Sequence, residues 1–503
     1  MHSTPAHRQI ADVVGDFELA CAQPEIGSAL EYFDLHALEI WFGCPPGRLR
    51  ETLGDLVARG APANSVVRAV YSFLLGNPVE SPLVSSRFLD EVLPEAEAFA
   101  RMFEYRLRGQ TVQASRAAAD IVAVRTDLNA VFDRRGGWNL FLSVQLGTTE
   151  MLAGDLTQAL IHFAEARMHP PAPLIRFLVR EAAAKAALIE ACEGDPEHAR
   201  RHLAEARAIP VTTSWSEPGV DAILQLVEST LAEDPEQARS LVEAIPPGQI
   251  GELWPYAALA LNRSLGWMAE YAEADIQLAA LEAMALPRTP GVGYAGSILP
   301  QLGANNLLCL DNPQAAEALI ESADPHMHRT QLLRAQLSLK LGQPRKALQQ
   351  VLEFSESERE LRQVAVWRHA LLAAAHLRLD QPSECLTVLE RAMALPGTFR
   401  VEDALQFDDA VREFAQEMID DWPRAEGRAS SFARATAATG RHLTKRELAA
   451  LKLLASGRSR EEIAIELFIS VNTLKTQLRS AYRKLGVSQR SAAILEAQRR
   501  GLI

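Results

Sequence analysis

The sequence contains few cysteines, few aromatic residues and no long uninterrupted apolar segment. Aromatic residues make up 6% of the 503 residues, and the five cysteines are an odd number spread widely along the chain. That spacing argues against a disulfide framework and a zinc cage, and it indicates buried reduced thiols. No run of 18 apolar residues occurs, so we expect no membrane span. Acidic residues interrupt the N-terminal segment where a signal peptide needs an apolar run, which predicts a cytoplasmic protein. The cysteines are Cys21, Cys44, Cys192, Cys309 and Cys385.

Several signatures of catalysis are also missing. The phosphate-binding pattern G-x-x-x-x-G-K-[ST], the zinc-protease pattern H-E-x-x-H and the hydrolase pattern G-x-S-x-G do not occur, and the 12 histidines are scattered. We therefore predict a protein that is not an enzyme and that binds no cofactor and no metal. A nucleotide-hydrolysing or ligand-modifying body is the alternative, and the missing phosphate loop argues against it.

Negative charge dominates the chain but not its C-terminal end. Residues 441–503 contain thirteen Lys or Arg against five acidic residues, a net charge of +8, whereas the whole chain carries −13 and the preceding 440 residues therefore −21. A basic module on an acidic body is typical of a nucleic-acid-binding protein with a separate partner domain. A chance imbalance of surface charge is the alternative.

Residues 76–422 are rich in Ala and Leu, with apolar positions three and four residues apart, which predicts helices. A pattern of residues that ends one helix and begins the next recurs in this segment. Gly or a short polar residue is followed by Asp, Asn or Gln at an expected N-cap, and often by Pro at the first helical position. A small residue comes three positions later and an apolar one after four more. Nine such units begin, on average every 38 residues, at residues 78, 111, 156, 196, 235, 271, 313, 344 and 382.

A period of this size with this pattern predicts an array of helical hairpins, an α-solenoid. The clearest copy, with Gly154-Asp155, Ala159, Phe163 and Pro171, resembles the second helix of a tetratricopeptide repeat. The other copies are degenerate, so the prediction is a tetratricopeptide-like helical-hairpin solenoid, with an irregular all-α body as the alternative. Residues 1–75, with helices expected at 30–41 and 47–59, are predicted to form the helical cap that a solenoid needs.

Two stretches interrupt the repeat, at residues 209–219 and 286–296. Both are long for connections between helices and are either tolerated insertions or ligand-binding loops. Trp254, Trp267 and Trp367 lie among apolar helical residues, which favours positions in the core over a platform for a ligand.

A linker and a compact module are expected after the body. Residues 423–440 are small and weakly hydrophobic, as in a flexible linker. Capping boxes at Thr444–Glu447 and Ser459–Glu462 then open two short helices. Ser470 is the expected N-cap of a third helix, which ends near Gly486, and a fourth helix follows.

A short helix, a tight turn and a longer basic helix are the parts of a helix-turn-helix. In the third helix Leu474, Leu478, Tyr482 and Leu485 share one face, which is expected to pack inward. The opposite face offers hydrogen-bond donors to base edges in the major groove of double-stranded DNA. A solvated basic face without a partner is the alternative. The donor residues are Asn472, Lys475, Thr476, Arg479 and Arg483.

These residues resemble the LuxR-type helix-turn-helix almost from end to end. The resemblance is carried by residues 443–447, 455–459, 462–464, 473–475 and 484–487. Residues 470–479 are most similar to the MalT-like, large ATP-binding subgroup, in which the module follows a helical repeat sensor domain. Because the phosphate loop is absent, we expect a relative that lacks the N-terminal nucleotide-binding domain, and ATP-driven assembly is not carried over.

The resemblance also implies roles for single residues. Lys475, Thr476 and Arg479 match base-reading positions, and Thr473 and Lys484 match positions near the phosphates. The family usually has His where Gln477 stands, which puts a backbone contact there in doubt.

Together these observations predict an all-α protein, a tetratricopeptide-like solenoid followed by a four-helix LuxR-type domain at residues 441–503. Its expected function is that of a bacterial transcription regulator that binds DNA as a homodimer. The body is expected to sense an effector, either a small molecule or a protein, and to control oligomerisation. An interaction scaffold whose terminal module docks protein instead of DNA remains the alternative.

Overall fold

The computed structural model describes residues 9–63, 65–75, 93–124, 137–169, 173–353 and 361–424 of the body. Of the C-terminal segment it describes residues 445–456, 458–467, 469–471, 474–475, 477–478, 481, 490, 493–494 and 497. All regular structure in these ranges is helical, as predicted. The helices are α1 (Ile10–Cys21), α2 (Gly27–Gly43), α3 (Pro46–Ala58), α4 (Val66–Leu74), α5 (Leu93–Leu107), α6 (Thr111–Val124), α7 (Trp138–Ala153), α8 (Leu156–Met168), α9 (Phe177–Cys192), α10 (Pro196–Ala208), α11 (Glu217–Leu231), α12 (Pro235–Glu243), α13 (Pro247–Ile250), α14 (Trp254–Trp267), α15 (Tyr271–Ala283), α16 (Gly293–Cys309), α17 (Pro313–Ser322), α18 (His328–Lys340), α19 (Pro344–Glu353), α20 (Arg362–Arg378), α21 (Pro382–Met393), α22 (Val401–Ala404), α23 (Asp409–Met418), α24 (Lys445–Ala455) and α25 (Arg460–Glu466).

The body is an array of helical hairpins. The predicted pattern of helix-ending and N-cap residues lies at the start of the second helix of each hairpin. The caps explain this agreement, because the Asp155 carboxylate accepts a hydrogen bond from the Gln158 backbone N–H at 2.9 Å, and Asp234 holds Gln237 in the same way at 3.0 Å. Proline follows the cap in several copies, where it needs no hydrogen-bond partner. The unit predicted at residue 78 lies outside the described residues. The confirmed starts are Thr111, Leu156, Pro196, Pro235, Tyr271, Pro313, Pro344 and Pro382.

The small and apolar positions of the repeat form the contact between paired helices. Ala159 and Phe163 of α8 are fully buried, and the corresponding residues of the other second helices are buried too. The Phe163 ring lies so close to Gly147 of α7 that a Cβ atom at Gly147 would approach a ring carbon to 2.6 Å. Close approach of the two helices therefore depends on the missing side chain. The buried apolar positions are Ala118, Phe163, Leu203, Val242, Leu278, Ile320, Val351 and Leu389.

The array winds back onto itself, which the sequence did not predict. Helix α7 contacts α16, four hairpins further along the chain. The Tyr256 hydroxyl donates a hydrogen bond to the Met151 carbonyl oxygen at 2.9 Å, and its ring stacks on Tyr294 at 4.9 Å. Helix α7 is consequently buried on every side, from Asn139 to Leu152. A helix buried all round needs partners for its polar side chains, and Arg106, Ser115 and Lys185 from other hairpins supply several of them.

The two loops that interrupt the repeat connect distant parts of the chain. In the first loop the Trp215 Nε1–H donates to the Trp41 carbonyl oxygen at 2.7 Å, and Ser214 donates to the Phe42 carbonyl oxygen at 2.8 Å. The loop thereby holds the N-terminal helices α1–α4 on the body. In the second loop Thr289 donates to the Gly109 carbonyl oxygen at 3.2 Å, beside the hairpin of α5 and α6.

Residues 291–296 of the second loop have the G-x-G-x-x-G spacing of a dinucleotide-binding turn, a pattern that requires a preceding strand. Here the pattern opens helix α16 after a connection from another helix. The Gly293 N–H already donates to the Asp324 carboxylate at 2.9 Å. The glycines at this spacing therefore allow the loop to pack closely.

Two predictions from composition concern thiols and membranes. Cys44, Cys192, Cys309 and Cys385 are buried as predicted, whereas Cys21 is only half-buried. Burial raises the pKa of Cys192 to about 12, which keeps that thiol neutral. Within the described ranges, no helix combines the length and apolar character needed to cross a bilayer.

A buried carboxyl group of α7 makes stability depend on pH. Glu150 is 6% exposed and accepts a hydrogen bond from Ser115 at 2.7 Å, while burial raises its pKa to about 7. Between its unfolded pKa of about 4.3 and pH 7 the unfolded chain loses a proton that the folded chain keeps, so stability falls as pH rises. We expect Glu150→Gln, which retains an acceptor for Ser115, to be more stable than the parent by up to about 3 kcal/mol at pH 8.

The check is urea unfolding of both chains from pH 4.5 to pH 8. The difference is expected to shrink toward pH 4.5, and a constant difference across this range would contradict the assignment. Glu51→Gln, at an exposed position of α3, is the matched control and should leave the profile unchanged.

Candidate nucleic-acid interface

The C-terminal segment begins with two helices whose boundaries follow the predicted caps. Helix α25 opens with a reciprocal capping box, in which the Ser459 N–H donates to the Glu462 carboxylate at 2.8 Å and the Glu462 N–H donates to the Ser459 hydroxyl at 3.2 Å. The hydrogen bonds from the Ser459 backbone and side chain lower the pKa of Glu462. This predicted box is confirmed, whereas Thr444 of the other predicted box lies outside the described residues.

The segment has a hydrophobic core of its own. Residues from both helices, from the third helix and from the last helix pack together, and this cluster contains no residue from the body. A cluster of this kind lets the segment fold as a unit. Its fully buried members are Ala450, Leu451, Leu454, Ile463, Ala464, Leu474, Leu478, Ala493 and Ala497.

The third helix begins at the predicted turn. The Leu474 N–H donates to the Ser470 carbonyl oxygen at 3.0 Å, a helical hydrogen bond that starts from the predicted N-cap. Leu474 and Leu478 are buried at 0% and 3% exposure, while the adjacent Lys475 is exposed. The predicted division of this helix into an apolar and a basic face is confirmed at these three positions.

Lys475 is the one predicted DNA-binding residue that the structure describes. Lys475 is exposed and lies in the helix directly after the turn. In a helix-turn-helix this part of the recognition helix contacts bases. The other predicted residues lie outside the described part of the chain, namely Asn472, Thr473, Thr476, Arg479, Arg483 and Lys484.

The surroundings of Gln477 and the hydrogen bonds of Arg490 could not be predicted from the sequence. Gln477 is half-buried, and its Oε1 atom has no hydrogen-bond partner among the described residues. Arg490 donates to the carbonyl oxygens of Leu454 at 3.0 Å and Arg458 at 3.4 Å, at the C-terminal end of α24. Its guanidinium group satisfies carbonyl oxygens that the end of a helix leaves without a donor. The same contact connects the last helix of the segment to α24.

Comparison with protein families identifies the segment. Residues 441–497 match the family model described as "GerE: Bacterial regulatory proteins, luxR family". This segment is a LuxR-family helix-turn-helix domain. The match indicates a DNA-binding regulator domain and confirms the resemblance drawn from the sequence motifs. The match does not extend into the body.

Proposed function

We propose that the protein is a DNA-binding transcription regulator whose LuxR-family domain inserts its third helix into the major groove. The family match of residues 441–497 carries the proposal. The net charge of +8 on residues 441–503 and the exposure of Lys475 support it, because steering toward phosphates and donors near base edges are both needed for specific binding.

The proposed contacts divide into two groups. Lys475, Thr476 and Arg479 contact bases together with Asn472 and Arg483, while Thr473 and Lys484 lie near phosphates. A homodimer places two such helices on two half-sites, one turn of DNA apart. The helical body is the effector domain in this proposal, an arrangement like that of MalT-like regulators.

Selection of bound duplexes from a random library by the full-length chain tests the proposal. A recurrent motif with two related half-sites would support both sequence reading and dimer formation. Recovery of duplexes without any shared motif would contradict specific reading. If the module docks protein and not DNA, no duplex is enriched above the starting pool.

The exposed lysine gives the sharpest single-residue test. We expect Lys475→Gln to weaken binding to the selected duplex by about 1–3 kcal/mol and to relax base preference at one position, because a donor to a base edge is lost. Lys452→Gln removes the same charge from an exposed position of α24 and is the matched control. Titrations on the selected and on random duplexes separate the outcomes. An equal loss on both duplexes would assign Lys475 to the phosphate backbone instead.

A further inference from the structure

The winding of the array encloses a cavity that the proposed DNA contacts do not use. Its volume is about 730 Å³, within the range typical of small-molecule sites. Residues from six successive hairpins, from α9 to α20, border it together with residues 398–406. These segments are far apart in sequence, so the cavity exists only when the array is fully wound.

Three arginines that border the cavity are each paired with a carboxylate. Arg329 pairs with Glu193 at 2.5 Å, Arg362 pairs with Asp403 at 2.8 Å, and Arg400 pairs with Glu197. These ion pairs hold the side chains of the cavity wall in place. The other charged residues at the cavity are Asp195, which caps α10, and the exposed Arg200, Glu233, Arg263 and Glu402.

Arg263 of α14 differs from these three arginines. It borders the cavity and is exposed, whereas its neighbours Asn262 and Ser264 are buried. Among the described residues, no carboxylate lies within ion-pairing distance of Arg263. A cation held in this way lacks a counter-charge of its own.

A second, independent feature is a buried acceptor without a donor. Gln336 of α18 borders the cavity at 4% exposure, and its Oε1 atom has no hydrogen-bond partner in the described part of the chain. The Nε of Arg329, also at the cavity, likewise lacks a partner there. Buried polar atoms of this kind are ordinarily satisfied in folded proteins.

The cavity also offers flat apolar surface. Trp267 and Trp367 border it and are half-buried, while the sequence predicted both to be core residues, as Trp254 is. The Arg329 guanidinium lies over the Trp367 ring at 5.6 Å, so this ring stacks with planar groups already.

We propose that this cavity binds a small organic anion, with its anionic group on Arg263, its planar part beside the tryptophans and a hydrogen-bond donor on Gln336. The inference rests on the proposed function, because it gives the effector domain its site and the chemical class of its ligand. A ligand bound there connects the early hairpins with residues 398–406, so it favours the wound form of the array.

A matched pair of fluorescent probes tests the site in the full-length chain. The probe 8-anilinonaphthalene-1-sulfonate is an organic anion, and N-phenyl-1-naphthylamine has the same rings without the sulfonate. We expect saturable binding of the anionic probe, and we expect Arg263→Gln to weaken it about tenfold or more while the affinity of the neutral probe stays unchanged. Arg201→Gln, at an exposed position of α10 away from the cavity, should change neither affinity.

Displacement of the anionic probe by phenylacetate and by phenyl phosphate then distinguishes a carboxylate from a phosphate ligand. An unchanged affinity of Arg263→Gln for the anionic probe, or equal losses for both probes, would overturn the inference. Arg263→Lys, which keeps the charge, should retain most of the binding and shows that a loss in the Gln variant is not a folding defect.

Binding of pooled DNA duplexes by the same preparations separates this inference from the proposed function. If Arg263→Gln binds the anionic probe normally while DNA binding is intact, only the cavity proposal fails. If the parent chain binds no DNA, the regulator proposal fails, whatever the probes show.

Discussion

A chain that ends at residue 440 is expected to lose DNA binding completely while its body stays folded. Among the described residues, the hydrophobic core of the LuxR-family domain is built from residues within 450–497, and the clusters of the body contain none of these residues. Removing the domain therefore removes the +8 charge and the recognition helix without opening a cavity in the body. The truncated chain should give no gel shift with pooled duplexes at low ionic strength and an unchanged thermal transition for the array.

A point variant in the intact chain provides the control for this truncation. Leu474→Asp places a charge at a fully buried position of the domain core, which unfolds the domain alone. Lys452→Asp changes charge at an exposed position and should only weaken binding. A truncated chain that shifts DNA as strongly as the parent would show that the body contains the DNA-binding site.

The second large effect is expected at the buried ion pair between Arg362 and Asp403. Their side chains are 7% and 5% exposed, and Arg362 also donates to the Thr398 carbonyl oxygen at 3.0 Å. Asp403 accepts a further hydrogen bond from the Arg400 N–H at 3.0 Å. Asp403→Ala leaves a buried guanidinium without its counter-charge, and we expect a loss of about 3–5 kcal/mol in unfolding free energy.

Two comparisons make the measurement specific. Glu104→Ala breaks the exposed pair between Glu104 of α5 and Arg108, which follows that helix, and should cost at most about 1 kcal/mol. The double variant Arg362→Met with Asp403→Leu removes both charges, so it should regain most of the stability lost by Asp403→Ala. Urea unfolding of the full chain measures all three. A loss for Asp403→Ala no larger than that for Glu104→Ala would contradict a structural role for the pair.

The local parts of the fold could be predicted from the sequence because they depend on neighbouring residues. A cap such as Asp155, Pro at the first helical position and a small residue such as Ala159 act within one turn. Ser459 and Glu462 likewise act within one turn of a helix. The same is true of Leu474 and Leu478, which are buried, and of Lys475, which is exposed. These features determine the eight confirmed starts of second helices and the arrangement of the helix-turn-helix.

The features that depend on contacts between distant residues could not be predicted in this way. Nothing near Tyr256 indicates that its hydroxyl meets Met151, and nothing near Trp215 indicates the Trp41 carbonyl oxygen. The winding of the array, the docking of its loops and the cavity at Arg263 all follow from such contacts. Trp267 and Trp367 have the local pattern of core residues, and only the winding places them at a cavity.

The most direct test of the account is the affinity of the purified full-length chain for pooled random duplex DNA, measured across ionic strength. The LuxR-family domain predicts tight binding at low salt and a linear fall of log K with log salt, with a slope of about −0.9 for each phosphate neutralised. Leu474→Asp should abolish that binding. Failure of the parent chain to bind any duplex at low ionic strength would contradict the claim that this domain contacts DNA.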